Sequence, residues 1–258
     1  ENTGRPVGGE HYVAAMALST FDCIAAITEH SAGFAEATRP NLTAQVEHCP
    51  GWSVADLVWH LTDVHWFWAT IAEERLPQPP DESRRPPRPR DEDLVDGFIA
   101  GAARLVQVLR QADQSAACWT WAPDQQNVGF ITRHQVQEAA VHHWDAAHAA
   151  GADFPIEPAV AADAVDEFLT VSLPSEDDPV EDLPQPLAGT FVVRAVDTGD
   201  AWTITDGDTP GTVQASRGMA DAPALEATAS DLLLWLYSRK DLDNGEVPAD
   251  LLKRFRDD

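Results

Sequence analysis

Apolar residues recur at intervals of three and four along the first two-thirds of the chain, the period of an amphipathic helix. Val13, Met16, Ala17, Phe21, Ile24 and Ile27 predict a first helix over about 10–36, and Pro40-Asn41 marks its end. Pro50-Gly51 is a turn. Ser53 and Asp56 then form a capping-box pair ahead of Leu57, His60, Leu61, Val64 and Phe67 or Trp68, which share one face. That second helix should run to about Arg75. A third covers about 91–112, with Leu94, Phe98, Ala102, Leu105 and Leu109 on its stripe. A fourth runs from near Thr132 to Gly151, whose glycine suits a helix C-terminus. A fifth follows at 158–173. Between the second and third, "LPQPPDESRRPPRPRDED" has polyproline character and is read as a surface connection. Its arginines raise the alternative of a flap over an anionic substrate.

The period shortens after the acidic, proline-rich "LPSEDDPVEDLPQP". Strand-like runs follow: "TFVVRAV", "AWTITDG", "GTVQAS" and "ALEATA", separated by turns carrying Gly, Asp and Pro. A last amphipathic helix, "SDLLLWLYSR", opens at Ser230 and Asp231. The expected fold is mainly α plus α+β. A four-helix bundle spans residues 10–174, and a small α+β domain spans 186–258.

Composition narrows the function. The 258 residues carry a formal net charge of −26, which repels phosphate backbones and anionic membranes. Neither nucleic acid nor membrane is therefore an expected partner. Cys23, Cys49 and Cys118 are too few and too scattered for a disulfide framework or a cysteine-based zinc site, and they fit a reducing cytoplasm. No apolar run is long enough to span a bilayer. The opening "ENTGRPVGGE" lacks signal-peptide features and is read as a polar tail. A monomer or small homo-oligomer is expected.

The densest chemistry lies in "HQVQEAAVHHWDAAHAAG", residues 134–151, which holds four of the nine histidines. Positions four apart on a helix differ by only about 40°. His134, Glu138 and His142 therefore project from one face. The outer two are separated by about 12 Å along the axis, too far to share one ion. Either Glu138 with His142 or His134 with Glu138 could chelate. His143 points to a flank, His148 sits in the last turn where it suits the helix dipole, and Asp145 could orient a ligating imidazole. A further ligand must come from another helix. His60, between Leu57 and Leu61, is the best placed, and His65 faces away from it. Two histidines and one carboxylate leave coordination positions open, the pattern of a catalytic rather than a structural ion, with zinc the default.

"CPGWSVADLVWHLTDVHWF" resembles the Pro-Gly-Trp-(Ser/Thr)-Val-x-Asp-Leu-x-x-His-Leu signature of the mycothiol-dependent maleylpyruvate isomerase family, a branch of the DinB-like metal-binding bundles. "EAAVHHWDAAHAAG" resembles that family's second signature, and "AWTITDG" and "ATASDLLLWLYSRKD" resemble its appended C-terminal domain. The resemblance implies a metal triad of His60, Glu138 and His142, with zinc or another divalent ion as cofactor. It also implies mycothiol as thiol cosubstrate and a small-molecule electrophile as substrate. It assigns a catalytic, substrate-handling role to Arg239 on the C-terminal helix. There "YSRK" replaces the family's Gly-Arg with Ser238-Arg239.

The implied activity is thiol-dependent cis–trans isomerisation. A mycothiol S-transferase would use the same activated thiolate. A non-catalytic metal-binding or interaction module is the alternative of a different class, and a metal hydrolase would need a general base that is not evident. Cys49 is read as a small buried residue, and Trp52, Trp66 and Trp68 as core aromatics.

Overall fold

A computed structural model describes residues 17–173, 186–209 and 211–256. Val13 and Met16 of the first stripe, and most of the acidic segment expected to separate the two domains, lie outside these residues.

Helix α1 (Thr20–Thr38) is capped by Ser19, whose hydroxyl accepts from the Asp22 amide. Helix α2 (Val54–Glu74) starts with the capping box read from sequence: Ser53 N donates to Asp56 at 2.9 Å, and Asp56 N donates to Ser53 Oγ at 3.3 Å. Helix α3 (Asp91–Gln111) buries all five residues of its predicted stripe. Helix α4 (Val128–Ala149) closes with two bonds of a Schellman turn, Gly151 N to His148 O and Ala152 N to Ala147 O, with Gly151 at φ 75°. The pairs α1–α4, α4–α2, α2–α3 and α3–α1 pack together, so the four helices close a bundle. Leu57, Leu61, Phe34 and Phe98 fill one end of it. Helix α5 (Pro158–Glu167) continues as a π-helical turn over Phe168–Ser172.

The C-terminal part is a four-stranded sheet with two helices. Strands β1 (Phe191–Ala195), β2 (Ala201–Asp206) and β3 (Val213–Arg217) pair antiparallel in sequence, and β4 (Ala224–Ala227) pairs parallel with β1. Helices α6 (Ala229–Leu236) and α7 (Ala249–Arg256) follow. One apolar core runs from α1, α2, α4 and α5 into Phe191, Val193, Trp202, Leu225 and α6. A buried polar junction reinforces it. The Asp166 carboxylate accepts from Arg133 of α4, from Trp202 Nε1 of β2 at 2.8 Å and from Arg217 of β3. These contacts hold its pKa down although burial alone would raise it.

Several local expectations need correction. Phe21 is 80% exposed rather than inward. At about 100° per residue it lies about 120° from Ile27, off the buried stripe. Helix α4 begins a turn before Thr132, because Asn127, which reads as a turn residue, is its N-cap and accepts from the Phe130 amide at 2.9 Å. Helix α6 is capped by Thr228, not Ser230. The Ser230 hydroxyl instead accepts from the Ile156 amide and ties α6 to the segment before α5.

The proline-rich connection is pinned along α2. Arg84 binds Glu74, Arg85 approaches Asp63 at 3.4 Å, and Arg88 binds Asp56 at 2.6 Å. These arginines are committed to neighbouring carboxylates, which favours the surface connection over an anion-binding flap. Among the described residues, no helix is long and apolar enough to cross a membrane.

Candidate metal centre

Helices α2 and α4 bring His60, Glu138 and His142 together, with one ligand atom from each lying within 4.8 Å of the others. The local spacing sets half of this: the turn between Glu138 and His142 puts His142 Nε2 3.6 Å from Glu138 Oε2. Packing of α2 against α4 sets the other half, placing the His60 ring 5.0 Å from the His142 ring, nearly perpendicular to it. Trp52 closes over the far side of His60 at 5.0 Å. The His142 and Glu138 side chains keep 13% and 21% exposure, so the cluster is walled yet reachable.

The donor set fits a divalent cation. Glu138 Oε2 is buried without a hydrogen-bond partner among the described residues. Burial raises the Glu138 pKa, but the surrounding imidazoles, His142 foremost, outweigh it and keep the group low and anionic. Burial and the His142 charge lower the His60 pKa, leaving a neutral imidazole, the form a metal needs. His142 donates from Nδ1 to Asp145 Oδ2 at 3.0 Å, which leaves Nε2 free to ligate.

Asp145 is the junction between bundle and C-terminal part. Arg239 meets it with Nε to Oδ1 at 3.1 Å and Nη2 to Oδ2 at 2.9 Å. Burial would raise the Asp145 pKa, and its bonds from His142 and Arg239 lower it instead. Arg239 also donates to Tyr237 O at 2.7 Å and touches Cys49 Sγ at 3.5 Å. The residue lies just past the end of α6, not on it. Ser238 N bonds Trp235 O and Arg239 N bonds Leu234 O, a Schellman turn with Ser238 at φ 58°. A left-handed residue is required there. This is why a glycine suits the position, and Ser238 adopts the same conformation.

The remaining histidines separate. His134 lies 3.7 Å from Glu138, but its Nδ1 donates to buried Glu167 at 2.7 Å. The Gln137 amide donates to the same oxygen, and Gln137 Oε1 accepts from Tyr237. His65 is fully buried against Phe98, with neither ring nitrogen hydrogen-bonded among the described residues, and burial pushes its pKa down to about 4. His143 packs on His30, with Nδ1 to Nδ1 at 3.1 Å. His148 bridges Glu47 at 2.9 Å and Asp153 at 2.6 Å. Cys49 stays protonated, because burial and then the Asp145 charge raise its pKa. The Tyr237–Gln137–Glu167 and His30–His143 contacts have no sequence signal, since each joins residues far apart in the chain.

A helical bundle presenting two histidines and a glutamate from facing helices, with an appended α+β unit, defines the class: a DinB-like helical bundle carrying a candidate metal site. Residues 24–147 match the family described as "Mycothiol maleylpyruvate isomerase N-terminal domain", so the helical bundle of this chain belongs to that domain family. The fold resembles a crystal structure of the mycothiol-dependent maleylpyruvate isomerase with TM-score 0.62, at 12% identity, over 91% of this chain and 98% of that one. A His-to-Ala variant of that isomerase matches with TM-score 0.57 over the same shares, again at 12% identity. No curated protein matches the chain.

Proposed function

We propose that this protein is a metal-dependent enzyme that activates mycothiol for attack on a small electrophile, in an isomerisation like that of maleylpyruvate. The reading rests on one observation: His60, Glu138 and His142 converge from two helices, and Glu138 Oε2 has no hydrogen-bond partner among the described residues. Two imidazoles and one carboxylate suit zinc with coordination positions left over. A divalent ion so held would lower the pKa of a thiol brought to it. The protein's own side chains hold the geometry. Asp145 fixes the His142 ring, Arg239 fixes Asp145, and Trp52 backs His60. We assign His60, Glu138 and His142 as ligands, and Arg239, linked to His142 through Asp145, as the cation that would meet an anionic substrate. A thiolate there would supply a nucleophile for reversible addition to the substrate's conjugated double bond, with the electron pair taken up by the adjoining carbonyl; the single bond so formed would allow rotation, and loss of the thiolate would leave the trans isomer.

A mycothiol S-transferase is the second reading. Arg239 favours it, because its contacts with Asp145, Tyr237 and Cys49 leave little of the guanidinium for a substrate carboxylate.

The test is elemental analysis of protein purified without chelator, followed by turnover of maleylpyruvate with and without mycothiol. His60→Ala and His142→Ala should each lose the metal and keep their helical circular dichroism. Full metal content in both would remove the ligand assignment, and turnover indifferent to the thiol would remove the mechanism. Consumption of thiol with product would select the transferase.

A further inference from the structure

We propose that Glu47, His48 and His148 form a second divalent-cation site, separate from the His60/Glu138/His142 centre. One ligand atom from each of these three residues lies within 4.8 Å of the other two. Three features set the group apart from a chance cluster of surface charge.

The first is its donor set, two imidazoles and a carboxylate, the same as in the other centre. The second is orientation. His148 donates from Nδ1 to Asp153 at 2.6 Å, so its Nε2 is the nitrogen turned to Glu47, at 2.9 Å. His142 is held in the same manner by Asp145, three residues on. A carboxylate behind a ligating imidazole fixes its tautomer and strengthens it as a ligand. The third is rigidity. The His148 ring stacks on Trp144 at 4.7 Å and 11°, and His48 packs against both rings, 5.7 Å from Trp144 and 5.3 Å from His148.

An ion pair between His148 and its two carboxylates accounts for Glu47 and Asp153 but leaves His48 with ring packing alone. A cation at the point where the three donors meet uses all of them. The Glu47 side chain is 70% exposed, so an ion can enter from solvent, and a net charge of −26 concentrates cations at the surface. Zinc, cobalt or nickel suits the imidazole content better than calcium or magnesium. A bound ion would fasten the segment carrying Glu47 and His48 to the end of α4. Cys49, the next residue, touches Arg239, so the fastening would reach the neighbourhood of the first centre.

The experiment is titration of the chelator-stripped full chain with Co(II), read by visible absorption and by bound-ion stoichiometry. The wild type should bind one equivalent more than His148→Ala and one more than Glu47→Gln. His60→Ala should keep the His148-dependent equivalent, and Asp153→Asn should weaken it about 10–100-fold. Glu47 is exposed, so Glu47→Gln leaves the fold intact even if His148→Ala does not. Equal stoichiometry in wild type, His148→Ala and Glu47→Gln would overturn the site, as would loss of every equivalent in His60→Ala.

Discussion

Asp145 and Arg239, 94 positions apart, meet in a two-point contact whose carboxylate also receives the His142 ring N–H. One buried acid thereby couples the last loop after α6 to the imidazole expected to ligate metal. Asp145→Asn keeps the shape but loses the charge that orients both partners. Metal affinity should fall about 10–100-fold, measured by competition with a chromophoric chelator. Undiminished affinity would mean that the His142 ring is held by packing alone.

Ser238 holds a left-handed conformation at φ 58° to close the Schellman turn that positions Arg239. A β-carbon there is strained, and glycine is not. Ser238→Gly should therefore stabilise the fold by about 0.5–1 kcal/mol in urea denaturation, after the larger unfolded-state entropy of glycine is subtracted. A destabilised variant would show that the serine side chain is worth more than the strain it carries.

His65 is buried with both ring nitrogens lacking a hydrogen bond among the described residues. Leaving such groups unpaired costs about 1–3 kcal/mol. His65→Leu, similar in size and apolar beside Phe98, should be more stable than the wild type when both are compared after metal removal. Lower stability would reveal a partner for the imidazole.

His30 and His143 share a Nδ1 to Nδ1 contact, in which one nitrogen donates and the other must stay unprotonated. Burial pushes both pKa values down to about 4. In the unfolded chain these groups take up protons near pH 6.5. Between about 6.5 and about 4 the unfolded state binds more protons. Stability is thus complete above that window and declines as the pH falls through it. Urea midpoints at pH 7.5 and 5 should differ, and the difference should shrink in a His30→Gln/His143→Gln double variant. An identical pH slope in both proteins would exclude these residues as its source. Gly33 makes the pairing possible, because a β-carbon there would sit 2.3 Å from His143 Cε1.

Much of the architecture was legible because its signals are local. The Ser53–Asp56 capping box, the α3 stripe, Gly151 after α4 and the four strand runs depend on neighbours within a turn or a pleat. The same locality caused the misreadings. Asn127 and Thr228 are N-caps that look like turn and strand-end residues until the first helical amide is seen to find them. His148 looked like a residue complementing a helix dipole, and its bridge to Glu47 crosses from another segment.

The chain by itself determined that Glu138 and His142 face the same way, because four residues nearly complete a helical turn whatever surrounds them. It left open whether His134 or His142 would share an ion with Glu138, and only a family resemblance chose between them. Tertiary packing favours His142 in space. The antiparallel fit of α2 on α4 brings His60 to His142, while Glu167 of α5 engages His134. Such convergence depends on how rigid helices cross, set by core side chains spread over the whole sequence, and no short stretch encodes it.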